Sequence, residues 1–252
     1  MQTFLTWLFA VYFFSTCAIC VCVSALICLL TAPFDANRRA VHAFSSYWGY
    51  HYLQLFWKMS YEGVDLIDPK KTYVQVANHQ SLADILALYG LHKPFKWVSK
   101  ESIYKVPFIG WNMWLNQYVL IRRGDLKSIK LMMDECRSWL RKGASVAMFP
   151  EGTRSKDGEM QAFRDGAFRL AMDCGVDVVP ILIDGSFDTL PSGSKVLHFQ
   201  TQMKIKVLPP ISCAPFEGSS GKMRTYVHDL MVEELAKMRS QKQSKLLPTA
   251  SS

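Results

Sequence analysis

The chain has 252 residues, half of them apolar, and a net charge of +8. That suits one α/β domain with an appendage better than two full domains, and it supplies ample apolar material for a core. The charge admits nucleic acid, an anionic membrane or a phosphorylated substrate as partner, but the basic residues do not interleave with aromatics as in a nucleic-acid reader, which excludes that class.

The N-terminus is the largest shift in composition. Met1–Phe34 contains no charged residue, longer than the roughly 20 residues that cross a bilayer. A cleaved signal would want a basic n-region and a short apolar core, so a retained membrane anchor is expected, spanning or re-entrant. Arg38 and Arg39 follow directly and place the next segment on the cytoplasmic face. In His42–Tyr61, Phe44, Trp48, Tyr52 and Phe56 recur every four residues and share one helical face. Such a helix either lies in the headgroup region or packs on the domain. Residues 1–61 therefore read as a membrane-attachment module, 62–240 as an α/β domain and 241–252 as a disordered tail.

Within the domain, strands are predicted at Thr72–Ala77, Phe95–Ser99, Gln117–Ile121, Ser145–Phe149, Asp177–Ile183 and Gln202–Leu208. Helices are predicted at Leu82–Leu91, Leu126–Lys142, Asp165–Asp173 and Met223–Met238, with Gly175 as a stop. This alternation predicts a mixed central sheet flanked by helices. Ligands in such folds sit beyond the carboxyl ends of strands, where three polar clusters fall: "NHQSLAD", "RRGD" and "EGTRS". The seven cysteines form neither a disulfide framework nor a zinc pattern, and they read as reduced thiols of a cytosol-facing domain; no metal is expected.

In "NHQSLAD" two readings stand side by side. Ser81 and Asp84 form a capping-box pattern at a helix start. That leaves His79 on the preceding loop, where Asp84 can fold back and bond one imidazole nitrogen, making a general base. The chain has no Gly-x-Ser-x-Gly elbow and no cysteine in a polar motif, so the activated hydroxyl would belong to the substrate. In "FPEGTRS", Glu151 and Arg154 read either as an ion pair closing a turn or as part of a phosphate cradle.

Together these blocks resemble the glycerolipid acyltransferases, the lysophosphatidate acyltransferase family. "NHQSLAD" resembles the family's N-H-x4-D motif, and "FPEGTRS" its F-P-E-G-T-R-S block. Phe95–Arg123, "FRDGAFRLA" and "VVPILI" resemble the blocks between and after them, in the family's order over about residues 72–185. The resemblance implies acyl transfer from acyl-CoA or acyl carrier protein, as co-substrate, to the sn-2 hydroxyl of 1-acylglycerol 3-phosphate. It assigns His79 as base and Asp84 as its orienting acid. It assigns Lys100, Arg123, Gly152, Thr153, Arg154 and Arg164 to the acceptor phosphate, with Glu151 holding Arg154 or the glycerol hydroxyls. Phe108, Ile109, Trp111, Met113 and Trp114 are candidates for an acyl channel or for ordinary core. No cofactor is implied. The expected location is a bacterial inner membrane or the endoplasmic reticulum. Two positions depart from the family pattern: Arg122 stands where an acid is usual, and Asp165 where a second basic residue is usual. Another lysolipid or glycerol phosphate as acceptor, a thioester hydrolase, and an inactive lipid-binding protein are the alternatives.

Overall fold

The computed structural model describes residues 1–199 and 201–246, with side chains to residue 241. Seven strands form one sheet: β1 (Lys58–Glu62), β2 (Tyr73–Ala77), β3 (Phe95–Lys100), β4 (Val119–Ile121), β5 (Ser145–Met148), β6 (Asp177–Asp184) and β7 (Gln202–Val207). Their order is β1-β7-β6-β2-β5-β3-β4. Strands β6, β2, β5, β3 and β4 run parallel, β7 is antiparallel to β6, and β1 is parallel to β7. The sheet is mixed, as the sequence predicts. The central strands β2 and β5 are buried at every residue, as parallel strands covered on both faces must be.

Alternate residues feed two cores. Val74, Val76, Val146 and Leu182 point to one face, under α5 (Leu126–Arg141), α6 (Gly166–Cys174) and α8 (Ser220–Leu246). Tyr73, Phe95, Trp97, Ile181 and Ile183 point to the other, under α2 (Arg39–Gln54), α3 (Ala83–Tyr89) and α4 (Ile109–Leu115). A single turn, α7 (Ser186–Thr189), follows β6. Asp125 caps α5 by accepting from the Lys127 and Ser128 amides, and Gly175 ends α6 in the left-handed conformation. Helix α8 continues to Leu246, so the first six residues of the expected disordered tail are helical; the rest of that tail lies outside the described residues.

The N-terminal segment differs from expectation at its boundary. The aromatic helix stops at Gln54, and Lys58–Glu62 leaves it to pair with β7 in the sheet. The alternating exposure of these five residues is that of an edge strand, which an aromatic count over 42–61 obscures. Helix α2 is sandwiched. Val41, His42, Ser45 and Gly49 face the domain, where a Cβ at Gly49 would come within 2.6 Å of the Tyr89 ring. Its aromatic face is covered by α1 (Gln2–Thr31): Phe9 packs edge-on against Phe56 and Trp57, and Thr16 meets the Tyr52 hydroxyl at 2.5 Å. The domain-packed reading of α2 is therefore the one realised.

Helix α1, 30 residues and about 45 Å long, stays docked from end to end. Thr6 Oγ1 accepts from the Leu197 amide near one end, and Ser24 donates to Asn112 on α4 near the other. Its outer face is apolar and bare: Phe4, Trp7 (69% exposed), Val11, Ile19, Leu29 and Leu30 all face outward, and only Cys20 and Ser24 are buried.

Candidate active site

The carboxyl ends of β2, β5, β3 and β4 lie side by side in the sheet, and β2, β5 and β4 each lead into a piece of the site. Strand β2 is prolonged by one side-chain rung: Asn78 Nδ2 donates to the Ile183 carbonyl at 2.9 Å, and its Oδ1 accepts the Ile183 amide at 2.8 Å. The chain then turns sharply, which puts His79 at the rim.

Asp84 is fully buried in the first turn of α3. A single carboxylate oxygen, Oδ2, accepts from His79 Nδ1 at 2.8 Å and from the Gln80 and Ser81 amides at 2.7 and 2.8 Å. Helix α3 begins one residue later than the capping-box reading expects, with Leu82 at the N-cap, so Asp84 bonds the Ser81 amide from the first turn without closing a capping box. Ser81 turns its hydroxyl elsewhere, accepting from Ala83 N and donating to the Leu190 carbonyl. A carboxylate accepts only, so Nδ1 carries the proton and Nε2 is the basic nitrogen. Nε2 makes no protein hydrogen bond among the described residues. The ring is fixed on its face as well, stacked on Phe149 at 3.8 Å, with Trp97 behind that.

The main chain of His79 is tied at both ends to the loop after β5. Its amide donates to Glu151 Oε1 at 2.7 Å, and its carbonyl accepts from the Ser155 amide at 2.8 Å. Glu151 Oε2 accepts the Gln161 amide at 3.1 Å. This corrects one of the two roles expected of Glu151, that of holding Arg154. It forms no ion pair with Arg154; its carboxylate is 4% exposed and is spent on two backbone donors that have no other acceptor. Burial pushes its pKa up to about 7, against the pull of those two donors.

The cationic half of the site is built differently. Arg123 follows β4, Arg154 follows β5, and Arg164 is drawn in by its amide on the Pro150 carbonyl. Arg123 is held below the usual guanidinium range by desolvation and then by the charges of Arg164 and Arg154, both of which lie within electrostatic reach of it. Among the described residues none of them has an ion pair. Gly152 makes the cluster possible: its φ is +72°, and a Cβ there would come within 2.6 Å of Arg164 Nε. Lys100 ends β3 opposite Ile121, exposed, and among the described residues neither it nor the exposed Thr153 bonds through its side chain to the trio. Arg122 is drawn off: Nε and Nη2 pair with the Glu101 carboxylate at 2.9 and 3.0 Å. Asp165 also turns away, accepting from Ser220 on α8.

Sequence reasoning passed over the residues that hold this site in place: Asn78, Gln80, Phe149, Ser155 and Gln161. Four of them stand inside the quoted motifs, but their roles depend on partners 70 or more residues away. No cluster of His, Cys, Asp and Glu suited to a metal ion occurs among the described residues.

His79, with its basic nitrogen free, and three arginines without ion pairs among the described residues lie on segments that follow the carboxyl ends of the sheet's strands, an arrangement suited to group transfer on an anionic substrate. The acyltransferase family profile matches residues 58–184, half of the chain, starting at the first residue of β1; the chain belongs to that family. It is 42% identical over 186 residues, 72% of its length, to a 1-acyl-sn-glycerol-3-phosphate acyltransferase of Chlamydomonas reinhardtii. It is 36% identical over 200 residues, 79% of its length, to the chloroplastic 1-acyl-sn-glycerol-3-phosphate acyltransferase of Arabidopsis thaliana. The aligned segments span 56% of each of these relatives. The crystal structure of a 1-acyl-sn-glycerophosphate acyltransferase from Thermotoga maritima shares the fold, with a TM-score of 0.79 over 95% of this chain and 98% of that one, at 24% identity.

Proposed function

We propose that the protein transfers an acyl group from an acyl thioester, acyl-CoA or acyl carrier protein, to the sn-2 hydroxyl of 1-acylglycerol 3-phosphate, forming phosphatidate. One observation carries this reading: an Asp-anchored His79 with a free Nε2 follows β2, and the loop that bonds both ends of its peptide follows β5 and carries Arg154, which has no carboxylate partner among the described residues. His79 Nε2 takes the proton of the acceptor hydroxyl as its oxygen attacks the thioester carbonyl. The new C–O bond forms, the C–S bond breaks, and the same proton passes from Nε2 to the departing thiolate. Asp84 stabilises the transient imidazolium through Nδ1–H. Arg123, Arg154 and Arg164 hold the phosphate, for which forked donors are the best match.

The apolar face of α1 accounts for access to a lipid. Because α1 is docked along its length, we place it in the plane of one leaflet, with the domain resting on that leaflet. An acceptor then reaches the rim without full extraction, which otherwise costs about 0.8 kcal/mol per CH₂.

The test is phosphatidate formation from lysophosphatidate and an acyl thioester, with wild type beside His79→Ala. Wild type is expected to form product, and the variant to lose about 10²–10⁴-fold in rate. Equal product from both proteins, or none from either, removes the reading.

A further inference from the structure

Arg239, near the end of the described side chains of α8, lies far along the chain from every motif of the site. Its guanidinium nevertheless gathers the loops that build it. Nη1 donates to both oxygens of Glu159 at 2.8 and 3.0 Å, Nη2 to the Gly158 carbonyl at 2.7 Å, and Nε to Asp184 Oδ1, at the end of β6, at 3.2 Å. The same Gly158 carbonyl accepts from Gln80 Nε2 at 2.9 Å, and the Gly158 amide donates to Ser155 Oγ at 3.0 Å. Ser155 N holds the His79 carbonyl, and Gln161 N holds the carboxylate that accepts the His79 amide. Arg239 therefore grips the outer bend of the one loop that fixes both ends of the His79 peptide.

We infer that Arg239 is a positioning residue: the terminal helix sets the orientation of the catalytic histidine through the 155–161 loop and Gln80. Arginine is required by the geometry. One planar fork meets a carbonyl and two carboxylates on separate loops, which a lysine ammonium on a flexible stem cannot do with the same fixed directions. The charge is matched locally by Glu159 and Asp184, so Arg239 belongs to the frame and adds nothing to the anion pocket. A loop allowed to drift by a fraction of an ångström would leave Nε2 poorly aimed, and misaim costs rate more than binding.

This inference rests on the acyl-transfer reading for its kinetic arm and on exchange alone for its structural arm. Arg239→Ala is expected to lower kcat about tenfold, with the KM values of lysophosphatidate and thioester within twofold of wild type. Arg239→Lys should fall between the two. Glu159→Ala, at an exposed position, should lose a few-fold in the same direction and keeps the test available should Arg239→Ala not fold. In a cycle with Gln80→Ala, the double variant should be no slower than the slower single one; multiplicative losses would overturn the link through Gly158. By hydrogen exchange, the Ser155, Gly158 and Gln161 amides should lose protection in Arg239→Ala while β2 and β6 keep theirs. Unchanged protection there overturns the inference whether or not the wild type acts on lysophosphatidate. A wild type without activity removes the proposed function instead.

Discussion

The two halves of the site are built on opposite principles. On the base side, the atoms that meet His79 are bonded: Asp84 Oδ2 takes three donors while its Oδ1 takes none, Glu151 takes two, and the His79 amide, carbonyl and Nδ1 are all engaged. On the cation side, Arg154 and Arg164 lie within electrostatic reach of Arg123, and among the described residues none of the three has an ion pair, while the neighbouring Arg122 is neutralised by Glu101. A base must be aimed before substrate arrives, since a small angular error costs rate. An anion site gains by leaving its charges unpaired, because a partner carboxylate would have to be displaced by the phosphate. Stability is thus stored on one side and withheld on the other.

Substitutions should separate the halves. The largest effect is expected from Asp84→Ala, which removes the acceptor of three buried donors. It should lose activity as heavily as His79→Ala and, unlike that variant, also lower Tm, since each orphaned buried donor costs about 1–3 kcal/mol. Unchanged melting of Asp84→Ala would erase the distinction drawn for the base side. Next comes Arg154→Ala. It should raise the KM of lysophosphatidate 10–100-fold, as expected for loss of a charged hydrogen bond of about 1.5–3 kcal/mol, and leave the thioester's KM near wild type. Tm should stay level or rise slightly, because a charge that repels Arg123 is gone. A fall in Tm, or equal KM effects on both substrates, would place Arg154 in the frame instead.

A third effect is stabilisation by ligand. At a hundredfold excess over its Kd, lysophosphatidate should add about 2.7 kcal/mol to wild-type stability, and much less to Arg154→Ala. Equal shifts in both would point to binding elsewhere. The last effect concerns pH, and it leaves activity aside. Glu151 has a raised pKa in the folded protein, about 7 against an ordinary 4.5. Between those values the folded state holds a proton that the unfolded chain has released, so stability falls as pH rises through this window. The full span corresponds to about 3.5 kcal/mol at 1.4 kcal/mol per pH unit. Melting curves at pH 5 and pH 8 should show wild type losing ground relative to Glu151→Gln. Parallel curves would mean that Glu151 does not titrate there.

Much of this was legible before any coordinates. His79 and Asp84 are five residues apart, and a helix start folds the acid back on the loop by local geometry alone. The strands β2, β3, β5, β6 and β7 read directly, being apolar runs bounded by turn residues. What failed to read shares one cause. The role of Glu151 looked like an ion pair with Arg154 because the two are neighbours in the chain, yet its true partner is an amide 72 positions earlier. The strand at Lys58–Glu62 was hidden because an edge strand declares itself only through its neighbour, here β7 at the far end of the domain. Helix α2 showed two faces, but the pattern could not say that one of them was meant for α1.

The sequence by itself determined what depends on short spans: the alternation of strand and helix, the apolar first helix, the His–Asp pair and the identity of the cations. Spacing of a few residues fixes such features through backbone geometry. Only the tertiary structure decided which loop holds His79, which arginines remain unpaired, and that a helix near the end of the chain reaches back to the rim. Those outcomes turn on where buried donors and acceptors find partners once strands distant in sequence become neighbours in the sheet, and no local pattern encodes that choice.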